Sequence, residues 1–363
     1  MEFWQGKTVL LTGHTGFKGS WLSLWMQSLG VNLIGYSLAP AASPNLFEIS
    51  QLQKGMINII NDIRDYVSLH AVIQKYQPEI IIHMAAQSLV RHSYQAPLQT
   101  YSTNVMGTIN LLEAARLTES VKVIVNVTSD KCYENSELNK KFNEKDRLGG
   151  YDPYSNSKAC SELITQTYRN VYFKERGVGI ATARAGNVIG GGDWAKDRLV
   201  PDVLIACMKQ EDILLRYPDA LRPWQHVLQP LYGYLTLSKL LYSSPENYSE
   251  SWNFGPDLED IKSVSWITDY LIESCNSSIR WIKDENKHLY EASTLQLDCT
   301  KAKEHLNWTS VWNLEIALKK TVEWFSGYQD GVNMLEKTLS QINQFSNECR
   351  ILQKEIVKET LHG

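Results

Sequence analysis

The 363-residue chain is poor in cysteine, and what it has is scattered: Cys132, Cys160, Cys207, Cys275, Cys299 and Cys349, with no Cys-x-x-Cys and no histidine cluster at metal-ligand spacing. That argues against a disulfide framework and a zinc site; no metal is expected, and a reducing cytoplasm is the expected location. A basic excess is missing too, since 36 Lys and Arg against 40 Asp and Glu leave a formal net charge of -4. No positive field is available for nucleic acid or an anionic membrane, so a phosphate-bearing partner must be held by local groups, which suits a small nucleotide better than a polymer. The N-terminus lacks the basic start of a secretory signal. The uncharged stretch from Gly19 to Phe47 is broken by Gly30, Gly35, Pro40 and Pro44 and reads poorly as a membrane span. Internal repeats and low-complexity segments are absent. What remains, 43% hydrophobic and 21% charged, suits a globular protein long enough for two domains or one large one with an elaboration.

The chemistry gathers between Thr128 and Lys158. Thr128-Ser129-Asp130-Lys131-Cys132-Tyr133 follows an apolar β-branched run (Val121, Val123, Ile124, Val125, Val127), so these polar residues leave the end of a buried strand, where open α/β sheets carry their sites. Downstream, Asp152-Pro153 reads as a helix start, and the spacing of four sets Tyr154 and Lys158 one turn apart on one face. A phenol near its ordinary ~10 is a poor base at neutral pH, and a neighbouring ammonium favours the phenolate. The pair reads as a proton-transfer device; as a bare motif it also fits a solvated surface pair.

Around this centre, strand and helix alternate. Lys7 to Thr12 is a short strand, followed by Gly13-His14-Thr15-Gly16-Phe17-Lys18-Gly19 and a helical pattern at Trp21, Leu22, Trp25 and Leu29. Strand, glycine turn and helix in this order predict a dinucleotide site, with the pyrophosphate on the helix amides. A second strand, Val31 to Tyr36, ends in Tyr36-Ser37, where an acid for the adenosine ribose is usual; no arginine for a 2′-phosphate follows either, although Lys18 offers one cation. The strand Met56 to Asn61 ends at Asp62-Ile63, a partner for an adenine amino group or simply a capped loop. Glu79 to Met84 ends in Ala85-Ala86-Gln87, small enough to leave room for a cofactor, with Arg91 and Tyr94 following as substrate candidates. The helical pattern from Pro97 to Ala115 contains Asn104, either a bridge through water to the lysine or an exposed helical residue.

After the strand Gly179 to Ala183 and Arg184-Ala185-Gly186-Asn187, the alternation becomes irregular. Arg198-Leu199-Val200-Pro201, Arg222-Pro223-Trp224-Gln225-His226 and Asn253-Phe254-Gly255-Pro256 follow, and two distant arginines either converge on a diphosphate or form separate surface ion pairs. From Leu335 through Leu339, Ile342, Phe345, Cys349, Leu352 and Ile356 the apolar residues step by three and four, predicting a long amphipathic packing helix. The expected architecture is α/β, a Rossmann-type doubly wound parallel sheet with a smaller C-terminal region: residues 1–185 for the cofactor and catalytic groups, 186–330 mainly for substrate, and 331–363 the helical segment.

Gly13-x-x-Gly16-x-x-Gly19 together with Tyr154-x-x-x-Lys158 resembles the extended short-chain dehydrogenase/reductase superfamily of nucleotide-sugar enzymes, from the first strand to about residue 330. Within it, GHTGFKGSWLS at 13–23, AAQSLVR at 85–91, TSDKCYEN at 128–135 and YDPYSNSKACSE at 151–162 are similar to the CDP-glucose 4,6-dehydratase family. The resemblance implies bound NAD and a closed redox cycle that turns CDP-glucose into its 4-keto-6-deoxy product, feeding surface-sugar synthesis. Tyr154 takes the proton of the 4-hydroxyl with Ser129 bonded to the same oxygen, Lys158 supports Tyr154, and Asp130 protonates the departing 6-hydroxyl. The cofactor contacts implied are Gly13, His14, Thr15, Gly16, Phe17, Lys18, Gly19, Ser37, Asp62, Ile63, Ala85, Ala86, Gln87, Asn104, Tyr154 and Lys158. Those implied for substrate are Gln87, Arg91, Tyr94, Asn187, Arg198, Leu199, Val200, Arg222 and His226. The helices around Asn104 and Tyr154 imply a homodimer built on a four-helix bundle. Lys131 stands where sibling dTDP-type enzymes carry a glutamate base; with an ordinary pKa of ~10.4 it acts as base only if that falls by roughly three units, and otherwise as an electrostatic group. A related dehydratase or epimerase, and a redox-sensing regulator without catalysis, are the rival readings; Asp130 favours dehydration, and Tyr154 with Lys158 favours an enzyme.

Overall fold

A computed structural model describes residues 2–135, 140–286, 288–289 and 295–362, with side chains as far as 354. Five strands, β1 (Thr8–Thr12), β2 (Asn32–Ser37), β3 (Ile57–Ile60), β4 (Ile80–His83) and β5 (Val123–Val127), are joined by Gly179–Ala185 and Ser251–Phe254 in one seven-stranded sheet. Its order is Ser251–Phe254, Gly179–Ala185, β5, β4, β1, β2, β3, every pairing parallel. Both faces are covered, which is why β4 and β5 are buried at every position, apolar except for His83 and Asn126, rather than alternating. The chain reverses direction across the sheet between β1 and β4, and the carboxyl ends there form the crevice in which such sheets bind ligands.

The expected helix after the glycine turn is α1 (Phe17–Ser28). Gly13 sits at φ +77°, and a Cβ there would fall 2.8 Å from Ala85 N; at Gly19 it would fall 2.1 Å from Gly13 O. These two positions therefore admit no side chain, and Gly16 begins α1 as an exposed N-cap without a side-chain cap, leaving its first amides open. The segment 97–116 is one helical path with a π turn, Ser102–Met106, inserted between Pro97–Tyr101 and Gly107–Arg116. The helix Pro153–Tyr168 starts with proline in its first turn, and the Asp152 carboxylate caps it by accepting from Ser155 N at 2.9 Å and Ser155 Oγ at 2.6 Å.

Residues expected to serve substrate also build the sheet, since Ser251–Phe254 is its seventh strand. A smaller three-stranded sheet, Ile261–Ser263, Leu221–His226 and Asn187–Ile189, stands over the carboxyl edge. The long C-terminal helix, Met334–His362, turns its stripe inward: Phe345 meets Trp25 of α1 at 5.8 Å and Trp312 at 5.0 Å between ring centroids, and Trp324 Nε1 donates to Thr338 Oγ1 at 2.9 Å. It is a packing helix within the chain as far as its side chains are described; Ile356, the last residue of the expected stripe, lies beyond them. Removing one of these buried rings costs about 3–5 kcal/mol.

Candidate active site

The segment leaving β5 turns under the helix Pro153–Tyr168. Ser129 caps a short 3-10 turn, Asp130–Cys132, accepting from Lys131 N at 3.2 Å, and its hydroxyl donates to Asp130 Oδ1 at 3.0 Å. Asp130 is 1% exposed, and its Oδ2 has no hydrogen-bond partner among the described residues. Burial raises its carboxyl above the ordinary range against the opposing pull of Lys131, Ser129 and Arg222. Gly186 faces it, 2.9 Å separating Asp130 Oδ2 from where a Cβ would stand. Lys131 is half-buried beside it.

Tyr154 is buried over this turn. Burial pushes its phenol up to about 12, Ser129 and Arg198 pull it back, and Asp130 adds to the rise. Lys158, read as the ammonium that favours the phenolate, donates to the Val127 carbonyl at 3.2 Å, and its own burial lowers it to about 8. For Asn104 the exposed reading is excluded. It is 2% exposed, held in the π turn, where it accepts from Gln87 N (2.8 Å) and donates to Gln87 O (3.0 Å) and Ser157 Oγ (2.8 Å). It ties the loop after β4 to the helix of Tyr154 and leaves Ala85 and Ala86 half-buried at the crevice.

The ribose end differs more from expectation. Tyr36 is fully buried and donates to Asp62 O at 3.0 Å, an apolar body driven into the core. Asp62 is paired with Arg64 two residues on, so its carboxylate answers a local cation, and Ile63 is a core residue packed against Gly107. His14 turns its ring away, under Phe47 and onto Asn58 Oδ1 at 2.7 Å, leaving only its backbone to the turn. Ser37 remains, within 2.9 Å of Thr15 Oγ1. Lys18 points to the other end: its Nζ donates to Tyr234 OH at 2.9 Å, and burial, with Lys158 and Arg198 nearby, lowers it to about 7. It is therefore unsuited to a ribose 2′-phosphate.

On the opposite wall, Arg198 is the N-cap of Leu199–Lys209, held by Asp193 at 2.8 Å and near enough to act on Tyr154, while Arg222 is buried and acts on Asp130. The two arginines thus bear on Tyr154 and Asp130 from different elements. Asn187 begins the strand that pairs with Trp224, and Leu199 is half-buried. Val200 is 3% exposed and faces the core. His226 is fully buried between Trp21 and Trp312, 5.6 and 4.9 Å from their ring centroids, and burial lowers it to about 3; aromatic packing, not ligand contact, accounts for it. Arg91 meets Asp197 at 2.9 Å in an exposed loop, with Arg216 on the same carboxylate, and Tyr94 is half-buried on the same short helix, Val90–Gln95.

Two groups in this region escaped sequence reasoning. Glu162 extends the spacing Tyr154, Lys158 by another four residues, a signal that was available; Tyr234 approaches Lys18 from 216 residues away and leaves no local trace.

The model of the GDP-mannose 4,6 dehydratase family matches residues 10–321. The chain belongs to that family. Among relatives of this family, it is 47% identical over 349 residues to the CDP-glucose 4,6-dehydratase of Salmonella typhimurium, covering 95% of this chain and 97% of that protein. It is 27% identical to the dTDP-glucose 4,6-dehydratase of Haemophilus influenzae over 87% of this chain and 97% of the relative. Among solved structures, a UDP-glucose 4-epimerase from Thermotoga maritima with UDP-glucose superposes at TM-score 0.78 and 22% identity, over 89% of this chain and 99% of the other. A dTDP-glucose 4,6-dehydratase from Bacillus anthracis in complex with NAD gives 0.75 and 21%, over 91% and 100%. At such identity these two speak for the fold alone.

Proposed function

We propose that the chain is a CDP-glucose 4,6-dehydratase, forming CDP-4-keto-6-deoxyglucose and water from CDP-glucose. The observation that carries this reading is Asp130: a buried acid whose carboxyl burial raises above its ordinary range, one oxygen free of partners among the described residues, beside Ser129 and Tyr154. An epimerase of the same family has no use for such an acid, and the near full-length likeness to a CDP-glucose 4,6-dehydratase supports the same choice.

The glycine turn fits a dinucleotide, because Gly13 and Gly19 keep free a cradle that a Cβ would fill and α1 offers uncapped amides. NAD bound there, with Ser37 at its ribose end and Ala85, Ala86 and Gln87 along it, supplies hydride uptake from sugar carbon 4, hydride return to carbon 6, and a positive ring charge. With Ser37 in place of the usual acid at the end of β2 and Asp62 paired with Arg64, NAD is favoured over NADP but held loosely.

The rest is work for side chains. Tyr154 takes the proton of the 4-hydroxyl, and Ser129 and the Arg198 guanidinium, which pull a phenol near 12 back down, favour that transfer. Ser129 steadies the same oxygen. Once carbon 4 is a ketone, the proton on carbon 5 is acidic; Lys131 is proposed to take it, and Asp130 gives its proton to the leaving 6-hydroxyl. Arg198 and Arg222, which bear on Tyr154 and Asp130 from two elements, suit the diphosphate. Should Lys131 stay charged throughout, it steadies the enolate instead.

A homodimer accompanies this reading. Leu98, Leu163 and Val171, 83%, 52% and 59% exposed, form an apolar band on the neighbouring helices 97–116 and 153–173, and a second copy laid on it makes a four-helix bundle. The six cysteines are free thiols, which fits a cytoplasmic enzyme, and no described helix is long and apolar enough to cross a membrane. Incubation with CDP-, dTDP-, UDP- and GDP-glucose in the presence of NAD, scored for keto-sugar, tests the substrate; faster conversion of dTDP-glucose than of CDP-glucose overturns it.

A further inference from the structure

The helix that carries Tyr154 and Lys158 places Glu162 one turn further along the same face. Its carboxylate is almost fully enclosed and has four partners: Thr128 Oγ1 on one oxygen, and Arg184 Nη2 (2.8 Å), Thr182 Oγ1 (2.6 Å) and Ser251 Oγ (3.2 Å) on the other. Three of these come from the two outermost strands at that side of the sheet, and the fourth, Thr128, immediately precedes Ser129 and Asp130. Arg184 is itself fixed, donating to Tyr133 OH at 2.8 Å and lying 4.9 Å over the Tyr133 ring. Tyr133 in turn donates to Asn253 Oδ1 at 2.7 Å, which closes the network on the strand Ser251–Phe254.

We infer that Glu162 is a positioning residue: its carboxylate clamps the Thr128 hydroxyl against the far side of the sheet, sets where Ser129 and Asp130 meet Tyr154, and keeps a negative charge behind the Lys158 ammonium. This rests on the dehydratase reading above for its kinetic half and on geometry for the rest. A carboxylate is required because it alone accepts from a guanidinium and three hydroxyls at once; glutamine offers one acceptor oxygen and leaves Arg184 competing with its own amide.

The groups that bear on Lys158 define the electrostatic half. Glu162 on its own helix and Cys132 on the 3-10 turn favour its charged form; Lys18 from α1 and His83 at the end of β4 also feel its charge, Tyr154 stands one turn back on its own helix, and burial lowers it to about 8. Lys158 is charged below that value and neutral above it. Removing the Glu162 charge removes a group that opposes the fall, so the alkaline limit moves to lower pH.

Three variants of the full chain separate the halves. Thr128→Val deletes only the hydroxyl and leaves the Glu162–Arg184 pair intact; kcat is expected to fall roughly ten- to a hundred-fold, the scale of an ångström of misplacement, with KM and the pH limit unchanged. Glu162→Gln should lower kcat at least as far and shift the alkaline limit down by about one pH unit. Glu162→Asp, which restores the charge on a shorter arm, should return the limit to the parent value without restoring kcat. The same limit is read without turnover from the pH dependence of NAD binding, followed by protein fluorescence. Parent kcat per folded molecule in Thr128→Val overturns the clamp, even if Glu162→Gln does not fold. An unmoved binding limit in Glu162→Gln, or, where that chain does not fold, a limit in Glu162→Asp displaced from the parent's, overturns the electrostatic half. A parent chain inert toward CDP-glucose strikes the functional reading instead, and the binding titration still decides the role of Glu162.

Discussion

The carboxyl ends of β5 and β2 lie on one edge of one sheet and are built in opposite ways. At β5 the polar residues that leave the strand are buried and tied to one another and to the next helix: Thr128 to Glu162, Ser129 to Asp130, Lys158 to the last carbonyl of the strand. At β2 the chain supplies a tyrosine that retreats into the core and a serine that holds a threonine, while the nearest carboxylate, Asp62, is neutralised by Arg64. One end is over-determined for proton transfer; the other offers an adenosine ribose little beyond a hydroxyl. The contrast teaches that preorganisation is concentrated at the β5 end; in the proposed reading that is where bonds change, and the glycine turn is the main hold on the cofactor.

Substitutions at the two ends should therefore differ in size. At the β5 end, Tyr154→Phe keeps the ring and removes the proton acceptor; kcat should fall roughly a thousand-fold with substrate affinity preserved by calorimetry. Near-parent oxidation of carbon 4 in that variant would remove Tyr154 from its role. Asp130→Asn should slow product formation by about a hundred-fold while carbon 4 oxidation continues, so that nicotinamide absorbance near that of the reduced form builds up on mixing. Parent-level product from this variant would mean that another group expels water. Lys131→Met is expected to preserve carbon 4 oxidation and to stop exchange of the carbon 5 hydrogen with deuterated solvent; exchange at the parent rate leaves Lys131 an electrostatic part only.

At the β2 end the effects are smaller. Ser37→Asp supplies the missing acid, and NAD should bind up to about ten-fold tighter, the worth of one charge-assisted hydrogen bond, at the expense of NADP. Unchanged NAD affinity by fluorescence titration would show that the ribose lies elsewhere. Least of all should follow from His226→Leu: an apolar replacement for a ring packed between two tryptophans should leave KM for the sugar nucleotide as it is and move stability by about 1 kcal/mol, seen as a small change in melting temperature.

The same contrast explains what could be read from the chain. Strands, glycine turn and catalytic helix were legible because each is written locally: β-branched runs, Gly13 and Gly19 where no Cβ fits, Asp152-Pro153 at a helix start, and a spacing of four. Residues whose meaning depends on distant partners were not. For Asn104 the helical pattern leaves a bridge to the lysine and an exposed residue open, and only the π turn and the loop after β4, which bury it, exclude the second. His226 resembled a polar hook, but Trp21 from α1 and Trp312 enclose it. Lys18 sat in the right turn for a ribose phosphate, and Tyr234 draws it the other way. The spacing of Lys158 is as read, but the bond of its ammonium to the Val127 carbonyl, 31 residues away, has no local sign.

The central claim, that the β5 end carries out dehydration through an internal hydride transfer, is tested most directly with CDP-glucose bearing deuterium at carbon 4. Enzyme, NAD and this substrate in ordinary water should give, by proton and deuterium magnetic resonance, a 4-keto-6-deoxy sugar with the deuterium on carbon 6 and a solvent hydrogen on carbon 5. Deuterium retained on carbon 4 of an epimerised sugar, or lost to solvent, would contradict the account.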